Sequence, residues 1–223
     1  MNIIEIQDQK IEFVSVIEVL EKLPIKFSLG YLMNREKLGI PLRKALVEHL
    51  YAIDNSTLVI NMAGVEEMTT SVAEEIGPIL FQELIKRRLD RDVYLTYCNV
   101  SEEIATGLDG IFKLPKFENQ INTRQNIVVF STLQNEVFSG HQFLGQEIPT
   151  ALKEILDVIY KFNVVSSSDL EEHGIKAASR KLTDLVKYYP WLFRKIQRAL
   201  DIDSRAWAYF YSPIVPVLNS EAK

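Results

Sequence analysis

The chain has 223 residues, of which 47% are hydrophobic and 25% are charged, with a single cysteine. This composition is typical of a globular protein and excludes a disordered chain, a collagen and a disulfide-stabilised scaffold. No stretch has the length and apolarity of a transmembrane helix, and the N-terminus lacks the pattern of a secretory signal. The sequence therefore predicts a cytoplasmic protein that makes no membrane contact.

The net charge of −5 is unevenly distributed along the chain. Residues 1–149 carry 14 basic and 21 acidic side chains, whereas residues 150–223 carry 11 basic and 9 acidic ones. Within the second part, residues 174–205 hold 8 basic and 3 acidic side chains. An acidic front and a locally basic back predict two regions with different roles.

The first 130 residues alternate between predicted strands and helices. β-favouring residues predict strands at Ile3–Ile6 and Ile11–Val16 around a turn at Asp8-Gln9, although residues 16–23 fit a helix equally well. The remaining predictions are an extended segment at 27–33, a helix at 41–53, a buried strand at 57–62, a helix at 69–88 kinked at Gly77-Pro78, a strand at 92–97, a helix at 101–112 capped by Ser101, and a strand at 127–130. This alternation predicts an α/β fold with a mostly parallel or mixed sheet.

Helical patterns dominate the last third of the chain. Residues 131–148 have no clear period, and their glycines indicate a linker at 139–148. The predicted elements that follow are a helix at 150–162 with Thr150 as its cap, a helix opened by the capping box Ser168-Asp169-Leu170-Glu171 and closed at Gly174, a helix at 176–188 ahead of Pro190, and strands at 191–196 and 205–211.

The segment from about 150 to 213 resembles a bacterial winged helix–turn–helix domain. The residues that carry the resemblance are the run from Val165 to Ile175, the helix to Val186 and the closing strand Arg205–Tyr211. The pattern departs from the family where a glycine usually ends the third helix, because Tyr188-Tyr189-Pro190 stands there. The resemblance implies that the third helix enters the major groove of DNA and that the strand pair contacts the minor groove or the backbone.

A helical wheel of the third helix separates an apolar face from an outward face that holds three cations and one acid, Asp184. Together with the strand pair, this face gives the expected DNA-binding residues: Lys176, Ser179, Arg180, Thr183, Lys187, Arg194, Lys195, Arg198 and Arg205. Lys and Arg bind phosphates, and Arg, Ser and Thr can also contact base edges. The alternative interpretation is a solvated helix face with the aromatic residues of the strand pair as core.

The segment from about 30 to 113 resembles the STAS-like domains of bacterial proteins, relatives of the sulphate-transporter and anti-sigma-antagonist fold. The resemblance lies in Arg35, Gly39 and Leu42-Arg43, and in the runs Leu58–Val65 and Met68–Ile76. It implies a small α/β module that binds protein partners.

Some members of this family are phosphorylated at the start of the helix that follows the strand. The corresponding hydroxyls here are Thr69, Thr70 and Ser71. The Asp and Gly that flank the phosphorylated residue in the family are replaced by Met68 and Val72. The simpler interpretation is that Thr69 caps the helix and that the other hydroxyls are incidental.

The complete prediction is a STAS-like α/β domain with a mixed sheet, followed by a mainly helical winged helix–turn–helix domain. The predicted boundaries are 1–138 for the first domain, 139–148 for the linker, 149–215 for the second domain and 216–223 for a tail.

No combination of residues predicts catalysis, a cofactor or a metal site. The sequence contains no dinucleotide-binding or phosphate-binding glycine motif, no H-E-x-x-H and no G-x-S-x-G. His49, His141 and His173 lie far apart, with His49 predicted on the apolar face of its helix, and Cys98 is predicted to be inert core. The adjacent carboxylates at 66–67, 74–75 and 102–103 are predicted to be solvated surface. We therefore expect a protein that is not an enzyme.

Three hypotheses for function follow. The first is a bacterial cytoplasmic regulator that binds DNA through the winged helix and a partner or signal through the STAS-like domain. The second is an anti-sigma-antagonist-type adaptor that binds protein but not DNA. The third is self-association through Phe81 and Ile85, which are predicted to face outward from the helix at 69–88. A homodimer would double the basic surface in the first hypothesis.

Overall fold

The computed structural model describes residues 10–28, 30–88, 92–118, 124–135, 137–199 and 207–217. These residues form two compact units, one ending at Gln146 and the other beginning at Glu147. The predicted strand at Ile3–Ile6, the turn at Asp8-Gln9 and the expected DNA contact Arg205 lie outside the described residues.

The first unit is a mixed α/β fold built on a five-stranded sheet. The strands are β1 (Lys10–Ser15), β2 (Tyr31–Leu32), β3 (Ser56–Asn61), β4 (Glu67–Met68), β5 (Tyr94–Cys98), β6 (Asn126–Gln134) and β7 (Val137–Gly145). The sheet has the order β1-β3-β5-β6-β7, in which the first four strands are parallel and β7 is antiparallel to β6. The short strands β2 and β4 pair separately. The predicted mixed α/β fold is confirmed for this unit.

The helices of the first unit follow the predicted alternation. They are α1 (Val16–Lys22), α2 (Ile40–Ala52), α3 (Thr70–Glu74), α4 (Leu80–Arg88), α5 (Glu102–Phe112) and α6 (Pro115–Glu118). A π-helical turn at Arg35–Gly39 precedes α2, and a second one at Glu75–Ile79 joins α3 to α4. The predicted cap of α5 is confirmed, because the Ser101 hydroxyl accepts a hydrogen bond from the backbone N–H of Ile104 at 3.3 Å.

The kink predicted at Gly77-Pro78 is present and changes which residues of α4 face the core. Gly77 has φ −94° and ψ −106°, outside the helical region. A π-helical turn holds more residues than an α-helical one, so it rotates the side chains of α4 relative to those of α3. Phe81 and Ile85 are consequently buried, and Phe81 packs edge-to-face on Phe112. Their predicted outward orientation is wrong. Buried side chains cannot form an interface, so the hypothesis of self-association through this pair is wrong as well.

Strand β7 occupies most of the segment predicted as a linker. Residues 139–145 pair with β6 over the length of the hairpin, and the side chains of Phe138 and Leu144 are buried. The segment looks like a loop in the sequence because Gly140 and Gly145 interrupt the alternation of polar and apolar residues. The chain from 139 to 145 is therefore strand rather than linker.

Gly145→Ala is expected to destabilise the protein strongly. Gly145 has φ +106°, and a Cβ there would lie 2.2 Å from the backbone oxygen of Gln125. Such a backbone conformation alone costs a non-glycine residue about 1–3 kcal/mol, and the backbone clash adds to that cost. Urea unfolding measures the loss. Gly107→Ala in α5 is the control, because its Cβ would meet nothing within 4 Å; an equal loss in both variants would contradict the explanation.

The second unit contains three helices followed by a β-hairpin. The elements are α7 (Thr150–Phe162), α8 (Ser167–Glu172), α9 (Ala178–Tyr188), β8 (Arg194–Ala199) and β9 (Trp207–Ser212). Strands β8 and β9 are antiparallel, and an isolated antiparallel bridge joins Val165 to Tyr211. The mainly helical character predicted for this unit holds only up to Tyr188, because its C-terminal part is a β-hairpin.

The helix boundaries in the second unit differ slightly from the prediction. Pro149 rather than Thr150 occupies the N-cap position of α7. The capping box is formed by Ser166 and Asp169, two residues before the predicted one, because three successive serines offer the same cap. Gly174 has φ +82° and follows α8 as predicted.

Each unit buries its own apolar side chains. In the first unit, all of β5 and all but the last residue of β3 are buried, as predicted for a strand covered on both faces. In the second unit, α7 buries Leu152, Ile155, Leu156 and Ile159. No helix among the described residues is long and apolar enough to cross a membrane.

Candidate functional site

Most of the residues predicted to contact DNA lie on the outward face of α9 or just before it, because the helix begins at Ala178 and not at 176 as predicted, which leaves Lys176 ahead of it. Five of them are exposed, and we call this set the basic ridge: Lys176, Ser179, Arg180, Thr183 and Lys187. The opposite face of α9 buries Ala178, Leu182 and Leu185. The helix is therefore held by its apolar face, and its cations remain accessible to solvent.

Local contacts orient two side chains of the basic ridge. The Thr183 hydroxyl donates a hydrogen bond to the backbone oxygen of Ser179 at 2.9 Å. The Lys187 ammonium lies 4.9 Å from the centre of the Tyr188 ring. A hydrogen bond with Tyr188 raises the pKa of Lys187 above its ordinary value.

The hairpin divides the cations predicted there between two faces. Lys195 is exposed, and its ammonium lies 3.8 Å from the centre of the Tyr209 ring. Arg194 is only 7% exposed, which removes it from the expected DNA contacts. Successive residues of a strand point to opposite faces, so Arg194 and Lys195 cannot both face outward. Arg198 belongs to β8, but its side chain, like all of Arg205, lies outside what the structure describes.

The predicted phosphorylation residues lie at the start of α3. Thr69 occupies the N-cap position, but its hydroxyl donates to the backbone oxygen of Leu32 at 3.3 Å instead of capping the helix. The same hydroxyl lies 3.3 Å from that of Ser71. Thr70 is exposed, so it is the most accessible of the three hydroxyls.

Thr69 and Thr70 also line a groove of about 530 Å³ between the start of α3 and α5, which we call the acidic groove. Three exposed carboxylates line it: Glu66, Glu67 and Glu103. Its apolar lining consists of Met33, Met68, Ala73, Ile104, Ile111 and Leu114. Sequence reasoning missed this groove because its residues come from three separate stretches of the chain.

A buried ion-pair cluster in the same unit is centred on Glu75, the first residue of the π-helical turn that follows α3. Glu75 is only 2% exposed and accepts hydrogen bonds from Arg35 at 2.8 Å and from Arg43 at 2.5 Å. A Cβ at Gly39 would come within 3.3 Å of the Glu75 side chain, so the glycine permits this close approach. The prediction that carboxylates 74–75 are both solvated is wrong for Glu75. We call Arg35, Arg43 and Glu75 the Glu75 cluster.

The histidines are not grouped into a site. His49 is partly buried, with Nδ1 3.6 Å from a Glu12 carboxylate oxygen, which fits the prediction of a core or partly buried residue with a partner. His173 stacks on Phe162 with ring centres 4.3 Å apart. Within the part of the chain that the structure describes, no three His, Cys, Asp or Glu side chains are grouped so as to hold a metal ion.

Cys98 is expected to be unreactive in the native protein. It is buried at the end of β5, and burial raises the pKa of its thiol to about 12. The thiolate is the reactive form, so a pKa increase of about three units lowers the reactive fraction near pH 8 roughly 1000-fold. Alkylation by iodoacetamide, followed by mass spectrometry with and without 8 M urea, tests this. Comparable rates in both conditions would contradict it.

The chain matches no family model, no curated protein and no solved structure.

Proposed function

We propose that the protein is a cytoplasmic regulator of the bacterial type, with two domains. In this proposal the second unit is a winged helix–turn–helix domain that binds DNA through α9 and the β8–β9 hairpin. The first unit is a STAS-like domain that receives a protein partner or a signal. Binding or modification there would change dimerisation or the accessibility of the basic ridge.

The observation that carries the proposal is the exposure of the basic ridge on an otherwise anchored helix. Lysine and arginine on phosphates release counterions, which supplies most of the non-specific affinity of a DNA-binding protein. Arg180 lies in the first turn of α9, where a recognition helix presents side chains to base edges. The exposed Lys195 and the hairpin that bears it support a second contact beside the helix.

The test is the salt dependence of DNA binding by the full-length protein. A labelled duplex library made from the DNA around its own gene would be titrated at several NaCl concentrations and followed by fluorescence anisotropy. A dimer that neutralises about six phosphates gives a slope of log affinity against log salt of about −5. A flat dependence, or no binding to any fragment, would remove the proposal.

A second candidate function is a protein-interaction adaptor without DNA binding. The acidic groove favours it, because a partly apolar groove lined by two methionines is typical of surfaces that adapt to protein partners. In the adaptor the winged domain would also contact protein, so charge reversal at Arg180 and Lys187 separates the candidates. Unchanged behaviour towards DNA, together with loss of a co-purifying protein, supports the adaptor.

Phosphorylation at Thr69, Thr70 or Ser71 is a proposed means of regulating the first unit. A phosphate at Thr70 would add about −1.5 to −2 charges beside an already acidic groove. The added charge would repel an acidic partner or release a bound one. Mass spectrometry of the protein isolated from its host would detect the modification.

A further inference from the structure

We propose that the acidic groove binds a small organic cation that carries an apolar body. The proposal rests on the sensing role suggested above for the first unit and names the chemical class of the signal. The binding can be measured without DNA, so its failure is distinguishable from failure of DNA binding.

The size and lining of the groove suit a small ligand. Its volume of about 530 Å³ lies within the range of roughly 300–1,000 Å³ that is usual for small-molecule sites. Ile104 and Ile111 are buried, and Met33 is 46% exposed although it is a large apolar side chain. An apolar body laid against Met33 would remove the exposed surface of that side chain from water, which favours binding.

The charge of the groove selects a cation. Within the described residues, Glu66, Glu67 and Glu103 have no Lys, Arg or His within 4.0 Å. The two lysines on either side of Leu114 in the sequence pair with other acids: Lys113 lies 2.5 Å from Asp109, and Lys116 lies 2.6 Å from Glu74. Tyr31 donates a side-chain hydrogen bond to Glu66 but carries no positive charge. Among the described residues the three exposed groove carboxylates therefore have no ion-pair partner, and an anionic ligand would be repelled.

Two glycines keep the groove open on the side of α5. Gly107 and Gly110 lie about one helical turn apart, on the same face as Glu103 and Leu114. A Cβ at either glycine would meet nothing within 4 Å. Glycine is unfavourable inside a helix, so these two residues lower the stability of α5. Because they have no side chains, a ligand can approach the helix backbone there.

The experiment compares two probes of opposite charge and matched shape, tryptamine and indole-3-propionate. Both would be titrated against the full-length protein and followed by ¹H–¹⁵N NMR, with the amides of Gly107 and Gly110 as reporters. Tryptamine is expected to shift these amides with a Kd of a few millimolar, the range for about a dozen non-hydrogen atoms. Indole-3-propionate is expected to leave them unchanged. Equal binding of both probes, or of neither, would overturn the proposal.

Variants test whether the groove is the site. Glu66→Gln combined with Glu103→Gln is expected to weaken tryptamine binding, about fivefold for each carboxylate removed. Glu102→Gln is the control for Glu103→Gln alone, because it removes one carboxylate from the same helix but from a different, smaller cavity. It is expected to bind as the wild type does, and an equal loss would overturn the proposal.

Gly107→Leu fills the groove without relying on loss of charge. The variant is expected to fold, because leucine is a better helix former than glycine and the position is open. Tryptamine binding is expected to disappear, and its persistence would overturn the proposal.

Sedimentation velocity tests separately whether the groove is an interface between copies of the chain. If the wild type self-associates and Gly107→Leu does not, the groove is an interface between copies and the proposal fails.

Discussion

Charge reversal of the basic ridge, Arg180→Glu with Lys187→Glu, is expected to weaken DNA binding at least about 25-fold at 0.15 M salt. The logarithm of affinity falls with that of salt by about 0.9 for each phosphate neutralised, so each contact is worth roughly fivefold at this salt concentration. Two lost contacts multiply to about 25-fold, and the new carboxylates add repulsion. Anisotropy titrations over a NaCl series measure the change, and the slope should become less steep by about two for each protomer.

The control for this prediction is Lys153→Glu with Lys161→Glu on α7. Both lysines are exposed and lie in the same unit, so the change in net charge is identical. A much smaller effect is expected, because these residues are outside the ridge. Equal losses in the two double variants would show that only the overall charge matters, which would contradict a binding surface on α9.

Removing both arginines from the Glu75 cluster is expected to destabilise the first unit by about 3–5 kcal/mol, the cost of leaving a buried carboxylate without its partners. The variant is Arg35→Met with Arg43→Met, which retains much of the apolar stem of each side chain. Glu75 is 2% exposed, so in the native fold its carboxylate depends on the two arginines for its hydrogen bonds. Urea unfolding followed by circular dichroism measures the loss.

Two further variants isolate the cause of this loss. Adding Glu75→Gln to the double variant is expected to restore more than half of the lost stability, because the buried charge is gone. Lys44→Met is the control for the loss of a cation on α2, since Lys44 is exposed. No recovery in the triple variant would show that the arginines act through packing and not through the charge of Glu75.

The order of strands and helices in the first unit was largely predictable, because its longer helices carry a helical period and its central strands are short apolar runs. Three features depended on information that a local pattern does not hold. Two adjacent acids, Glu74 and Glu75, lie about 100° apart on a helix, and the local pattern does not say that Glu75 is buried with two arginines while Glu74 is partly buried beside Lys116. The π-helical turn after α3 shifted the phase of α4. The antiparallel strand β7 was not recognised, because its glycines interrupt the alternation of polar and apolar residues.

The candidate sites differ in how far the sequence could define them. Four of the five basic-ridge residues lie on α9, so a helical wheel was sufficient to select them, whereas Lys176 precedes the helix. The burial of Arg194 could have been predicted from strand alternation, since Arg194 and Ile196 share a face. The acidic groove could not have been predicted from the sequence, because Met33, Glu66 and Glu103 are brought together only by the fold.

The burial of Cys98 has a practical consequence for studying this protein. The chain has no other cysteine, so an unmodified background exists for attaching a fluorophore or a spin label. A cysteine introduced in place of the exposed Thr183 would be the single reactive thiol under native conditions. The dye would sit on the face of α9 proposed to meet DNA and would report docking optically, without replacing any charged side chain.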